Sequence, residues 1–131
     1  MDYTEVRYIE LKTGYGDNGP AWIGKVKLSK TKRTIYFNNK AFRQANCCSG
    51  NYFDVETGEE YWISGIKMDG TDRHWAGSGK IIIGRNIVEY YLSLRGRKTL
   101  DKRKYIVRDI PEIYPIERIN TFCNEKLYPE K

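Results

Sequence analysis

The stretch Trp22-Ile23-Gly24-Lys25-Val26-Lys27-Leu28-Ser29 decides the fold. In an extended chain Trp22, Gly24, Val26 and Leu28 share one face, and Lys25 and Lys27 point the other way, because side chains of a strand alternate between faces. Alternation of that kind marks a half-buried sheet. The segment before it, Gly14-Tyr15-Gly16-Asp17-Asn18-Gly19-Pro20, is rich in residues that accept turn geometry and reads as a wide loop. Before that loop, Glu5 to Lys12 reads as another strand, with Arg7, Ile9 and Leu11 on one face and Val6, Tyr8 and Glu10 on the other.

Further strands follow. Ser29-Lys30-Thr31-Lys32 is a turn, and Arg33 to Asn38 returns with Ile35 and Phe37 facing inward. Asn38-Asn39-Lys40 signals another turn, and Asn46 to Asn51 reads as a polar loop. Tyr52 to Val55 and Glu60 to Lys67 make the strongest hairpin signal. In their connection, Glu56-Thr57-Gly58-Glu59, Gly58 supplies the positive φ that closes the turn. Large aromatics in strands are usually core, so Trp62 is expected to be buried. Met68 to Gly79 is polar, and Lys80 to Ile83 is a short buried strand.

The pattern then changes. Asn86 to Arg95 reads as a helix with Ile87, Val88, Tyr91 and Leu94 on one side and Gly96 as its stop. Tyr105 to Ile110 is a last strand. Pro115 suits the first position of a final helix carrying Ile116, Ile119, Cys123 and Leu127. No βαβ crossover fits in the first 84 residues, so a parallel sheet is not expected there. The expectation is one α+β domain over residues 1–131, mostly β. It would be a small antiparallel sheet or a partly open SH3-like or OB-like barrel with one or two C-terminal helices.

Composition narrows the class. The chain has 131 residues, the size of one domain, and its 11 Tyr, 4 Phe and 3 Trp argue for a packed core. The longest strongly apolar run, Ile81-Ile82-Ile83, is far shorter than the ~20 residues of a spanning helix. The start, Met1 to Arg7, has no apolar signal region, so a cytoplasmic protein with no membrane partner is expected. The 3 cysteines fit no disulfide framework. With 1 histidine they fit no zinc pattern either, so no metal and no cofactor is expected. They read as free thiols, with a redox-active Cys47-Cys48 pair as the alternative.

The net charge of +6 is unevenly spread. From Asn18 to Phe53 the chain carries Lys25, Lys27, Lys30, Lys32, Arg33, Lys40 and Arg43 and no acid. From Arg95 to Arg108 it carries seven cations against Asp101 alone. Lys25 and Lys27, beside an outward-facing Tyr36, suit single-stranded nucleic acid, where phosphates pair with cations and bases stack on aromatics. Arg33, Arg73, Lys102, Arg103 and Lys104 would extend that surface. No ribonucleoprotein-type signature, G-x-x-G loop or zinc finger is present.

One segment concentrates chemistry: Asp69-Gly70-Thr71-Asp72-Arg73-His74-Trp75-Ala76-Gly77-Ser78-Gly79-Lys80. His74 titrates near neutrality, and Asp72 or Asp17 is a candidate to orient it for acid–base work. No nucleophile stands at a recognisable spacing. Gly77-Ser78-Gly79-Lys80 is not a phosphate loop. The first glycine of that motif is replaced by His74, the hydroxyl residue by Ile81, and a strand follows instead of a helix.

The stretches Glu10 to Tyr15, Asp17 to Ile23, Asp54 to Gly65 and Asp72 to Lys80 together resemble a family of short bacterial proteins of unknown function, over most of the chain. Members are sometimes labelled 1-deoxy-xylulose-5-phosphate synthase. This chain is too short for a thiamine-diphosphate enzyme and lacks the G-D-G motif such enzymes use. The resemblance therefore implies no activity. The leading expectation is a non-catalytic basic binding module for nucleic acid or an acidic protein. A small enzyme with a loop site at His74, and a partner-bound accessory or immunity protein, are the alternatives.

Overall fold

The computed structural model describes residues 3–12, 19–45, 50–72 and 79–117. Its centre is a closed barrel of six antiparallel strands. These are β1 (Tyr3–Leu11), β2 (Ala21–Leu28), β3 (Thr34–Phe37), β4 (Lys40–Gln44), β5 (Tyr52–Asp54) and β6 (Glu60–Gly65). Each strand pairs with its successor, and β6 returns to β1, with Ile9 opposite Ile63. Closure satisfies both edges of every barrel strand, which a small open sheet cannot do.

Local sequence accounts for the turns. Asn38 and Asn39 both adopt positive φ (50° and 63°), the geometry of the tightest hairpin and one that asparagine tolerates. This turn leads into β4, a strand the sequence reading leaves unassigned between its turn and its polar loop. Gly58 has φ 79°, and the Glu59 carbonyl accepts from the Asp54 amide at 2.9 Å, as the hairpin reading predicts.

Ile9, Val26, Leu28, Ile35, Phe37, Phe42, Tyr61 and Ile63 pack inside the barrel, with Tyr52 at its edge. The inner face of β2 is therefore the one its alternation predicts. The outer face is not left to solvent: Ala21 and Ile23 are buried, and Lys25 and Lys27 are half-buried.

The cover on Ala21 and Ile23 comes from an appended unit. Strand β7 (Ile81–Gly84) lies parallel to β2, with Ala21 opposite Ile81. After a turn of 3-10 helix at Arg85–Ile87 and helix α1 (Val88–Arg95), strand β8 (Tyr105–Arg108) lies parallel to β7. These parallel pairs depart from the antiparallel expectation. The helical crossover through α1 sets β8 parallel to β7. Tyr8, Ile23, Ile83, Ile87, Tyr91 and Tyr105 form a second core between the barrel wall and α1.

Strand β2 divides its outer partnerships. Its first residues pair with β7, and Lys27 and Leu28 pair with β3. Gly24 sits at the division, where a Cβ would lie 2.7 Å from the Phe37 ring and 3.4 Å from Ile110. Helix α1 ends as predicted. Gly96 has φ 65°, and the Arg97 amide donates to the Leu92 carbonyl at 2.9 Å.

Residues 109–117 return across the outside of β2, β3 and β4. The Asn39 amide donates to the Ile113 carbonyl at 2.9 Å, and the Tyr114 hydroxyl donates to the Lys25 carbonyl at 3.1 Å. Tyr114 packs on Tyr36, Ala41 and Val55. Residues 116–117 are helical, where the final helix is expected, and its continuation lies outside the described residues. No helix among the described residues is long and apolar enough to cross a membrane.

Candidate anion-binding cleft and sheet edge

Two features at the α1–β8 unit combine charge with open geometry. The first is a cleft of about 50 Å³ between the end of α1 and the turn before β8, with Arg95, Arg97, Thr99, Lys104 and Tyr105 in its wall. Helical spacing places Arg95 one turn beyond Tyr91. Nη1 of Arg95 donates to the hydroxyls of Tyr91 and Tyr105, each at 3.2 Å. The guanidinium also lies 5.6 Å from the Tyr91 ring centroid. On its other side is Gly70, where a Cβ would stand 2.4 Å from Nη2. The charge is thus held rigidly, at the edge of the second core.

Asp72 faces this guanidinium. It is 6% exposed, and its Oδ1 accepts from the Lys67 amide at 2.7 Å. Burial pushes its carboxyl above the ordinary value, against the pull of that amide, Lys67 and Arg95. Asp72 Oδ2 and Arg95 Nε, both shielded from solvent, have no hydrogen-bond partner among the described residues. Asp101, also in the cleft wall, is already engaged. It accepts from the Arg103 amide at 2.9 Å and pairs with Arg103 Nε at 3.3 Å, and these bonds hold its carboxyl below the ordinary range.

The second feature is β8 itself. Among the described residues every other strand has neighbours on two sides, and β8 has β7 alone. This edge is bordered by exposed Lys102, Arg103 and Lys104 at its start and exposed Arg108 at its end.

The other expected binding residues lie elsewhere. Arg33 is exposed in the turn before β3. Lys25 and Lys27 flank the C-terminal segment, and Lys27 Nζ lies 5.5 Å from the Tyr114 ring centroid. Tyr36 is on the outer face as expected but is 3% exposed, covered by Tyr114, so it offers no stacking surface. Trp62 corrects the opposite way: it is 40% exposed on the outside of β6, because Tyr61 and Ile63 take the inward positions. Arg73, His74 and Asp17, like the cysteines, lie outside the described residues. Of the three acid–base candidates the structure therefore places Asp72 alone.

The two basic stretches do not merge at their tips. Tyr105, which follows Lys102–Lys104, is level through Ile81 with Ala21 at the start of β2. Lys30 to Arg33 follow Leu28, at the other end of that strand. At about 3.3 Å per residue the tips are roughly 20 Å apart. That exceeds the ~8 Å screening length at physiological salt, so they act separately.

A polar group in the barrel wall escaped the sequence reading. Glu10 is 1% exposed, its Oε1 accepts from the Tyr8 hydroxyl at 2.6 Å, and Oε2 pairs with Lys12 Nζ at 3.2 Å. Tyr8-x-Glu10-x-Lys12 share one face of β1, and that i, i+2 spacing was the available signal. The roles of Tyr91, Tyr105 and Arg95 were signalled only by helical spacing and a basic run, neither of which reveals the Tyr91–Tyr105 contact. Compared with protein-family models, curated proteins and solved structures, the chain matches none.

Proposed function

We propose that the protein is a non-catalytic binding module that takes an acidic, extended protein segment on the open edge of β8. The observation that carries this reading is that β8 has no strand on its outer side among the described residues, where Arg108 Nη1 donates to the Val107 carbonyl at 3.1 Å, and that Lys102, Arg103, Lys104 and Arg108 border that side. An added strand gains main-chain hydrogen bonds along the edge, and acidic side chains gain the flanking cations. The same cations keep two copies of this edge from pairing with each other. Nucleic acid is the less favoured partner, because the tips Lys30–Arg33 and Lys102–Lys104 lie towards opposite ends of β2 and Tyr36 is covered.

The test is a titration with an eight-residue peptide of alternating glutamate and valine, beside a single-stranded oligonucleotide, at rising salt. Expected are peptide binding that weakens with salt, slowed exchange of the Val107 amide, which the parallel ladder turns away from β7, and loss of affinity in the combined Lys102→Ala, Arg103→Ala, Lys104→Ala variant. Oligonucleotide binding with no peptide binding would overturn the reading.

A further inference from the structure

We propose that the cleft between α1 and the 97–104 turn is a binding site for a phosphoryl group. The inference stands apart from strand addition at β8, since it concerns side chains behind the edge and not the edge backbone.

Size comes first. A volume of about 50 Å³ is several times the roughly 10–15 Å³ one water needs, so the cleft holds one compact polyatomic group and no larger ring system. Charge comes next. Arg95, Arg97 and Lys104 bring three cations to the wall. Asp101 in the wall and Asp72 behind Arg95 oppose them, and Arg103, paired with Asp101, adds a fourth cation beside the cleft, so cations exceed carboxylates by two. The excess matches a dianion better than a carboxylate.

Preorganisation is the third argument. The Arg95 fork is fixed by two tyrosine hydroxyls and by Gly70. Arg97 is fixed at its backbone by the helix-ending bond to Leu92, and Lys104 by its amide bond to Asp101 and its carbonyl bond from Ile81. The Thr99 side chain adds a hydroxyl donor. A fixed guanidinium with flanking ammonium and guanidinium groups is the donor set that phosphoryl oxygens take. The end of α1 opposes an anion by about 0.3–1 kcal/mol through its dipole. The Leu92 and Ser93 carbonyls already accept from the Arg97 and Gly96 amides, and that opposing effect is small beside three cations.

Inorganic phosphate at neutral pH, followed by amide chemical shifts, is the first probe, with acetate as the monoanionic control. Expected are shifts confined to residues 95–105, phosphate at least tenfold tighter than acetate, and a tenfold or greater loss in Arg97→Ala and in Lys104→Ala. Both of those side chains are exposed, so both variants fold. Acetate binding as tightly as phosphate, or unchanged phosphate affinity in both variants, would overturn the assignment. Phenyl phosphate and a phosphoserine peptide then separate a small ester from a phosphorylated chain. The carrier that binds tighter than inorganic phosphate identifies the source, and weaker binding of both counts against the site. Strand addition fails or holds separately, through exchange of the outward-facing Val107 amide.

Discussion

The hydroxyl oxygens of Tyr91 and Tyr105 lie 2.7 Å apart, one from the helix and one from the strand that follows it, and Arg95 donates to both. The contact ties α1 to β8 through the second core, with the rings edge-on at a centroid distance of 5.6 Å. Removing one hydroxyl leaves the other with Arg95 but without its tyrosine partner. Tyr91→Phe and Tyr105→Phe are each expected to cost about 1 kcal/mol. In a double-mutant cycle read by urea unfolding the two effects should be non-additive. Additive losses would mean that the two hydroxyls act independently.

Alkaline pH should unfold the protein early. Burial raises Tyr61 from 10.0 to about 12, helped by Glu59 and Asp54, and raises Tyr114 to about 12, helped by Glu112. Burial and the Tyr105 hydroxyl raise Tyr91 further. For an acid whose folded value is raised, the stabilisation is complete below the unfolded value and disappears as pH climbs through the folded one. Stability should therefore fall between pH 10 and 12, with part of the tyrosinate absorbance appearing only on unfolding. A single tyrosinate transition near pH 10, with the fold intact, would contradict this.

At the acid end Asp72 contributes with a sign opposite to that of Asp69 and Asp101, whose carboxyls are lowered. Its carboxyl is raised chiefly by burial, so its contribution is full below the ordinary 3.8 and is lost as pH rises through the folded value. Asp72→Asn keeps an oxygen for the Lys67 amide and removes the buried charge. It is expected to be more stable than the parent at pH 7, with the difference shrinking towards pH 3. Thermal melts across that range measure it.

Gly50 should tolerate alanine less well than Gly58. A Cβ at Gly50 would lie 2.4 Å from the Tyr61 carbonyl oxygen, a backbone atom in the barrel wall that cannot swing aside. At Gly58 the space is open, and only the positive φ of 79° is penalised. Gly58→Ala should cost about 1 kcal/mol and Gly50→Ala about 3 kcal/mol by chemical denaturation.

Tyr114→Ala should loosen the C-terminal segment while leaving the barrel closed. It removes the cover on Tyr36 and the hydrogen bond to the Lys25 carbonyl. The expected loss is about 2 kcal/mol, with new protease cleavage between residues 109 and 117 and unchanged exchange protection in β1 and β6.

Period-two alternation in β1 and β2, the glycine-closed hairpin at Gly58 and the helix stop at Gly96 were all legible in the sequence. Each depends on neighbours a few residues apart, and such short-range rules suffice to predict a mostly β domain with a helix near its end. Three things were decided by tertiary structure. Barrel closure rests on β6 meeting β1 some fifty residues away, β7 lies parallel to β2 some sixty residues before it, and β8 lies parallel to β7 across the α1 crossover. The fates of Tyr36 and Trp62 were reversed because alternation gives Tyr36 a face but not what later covers it, and residue type alone gives Trp62 no face. Tyr114, far along the chain, buries the outer side of β3, and nothing comparable among the described residues covers Trp62. The cleft likewise depends on Arg95 meeting Tyr105 across the 96–104 turn, a contact between separate elements that no local spacing encodes.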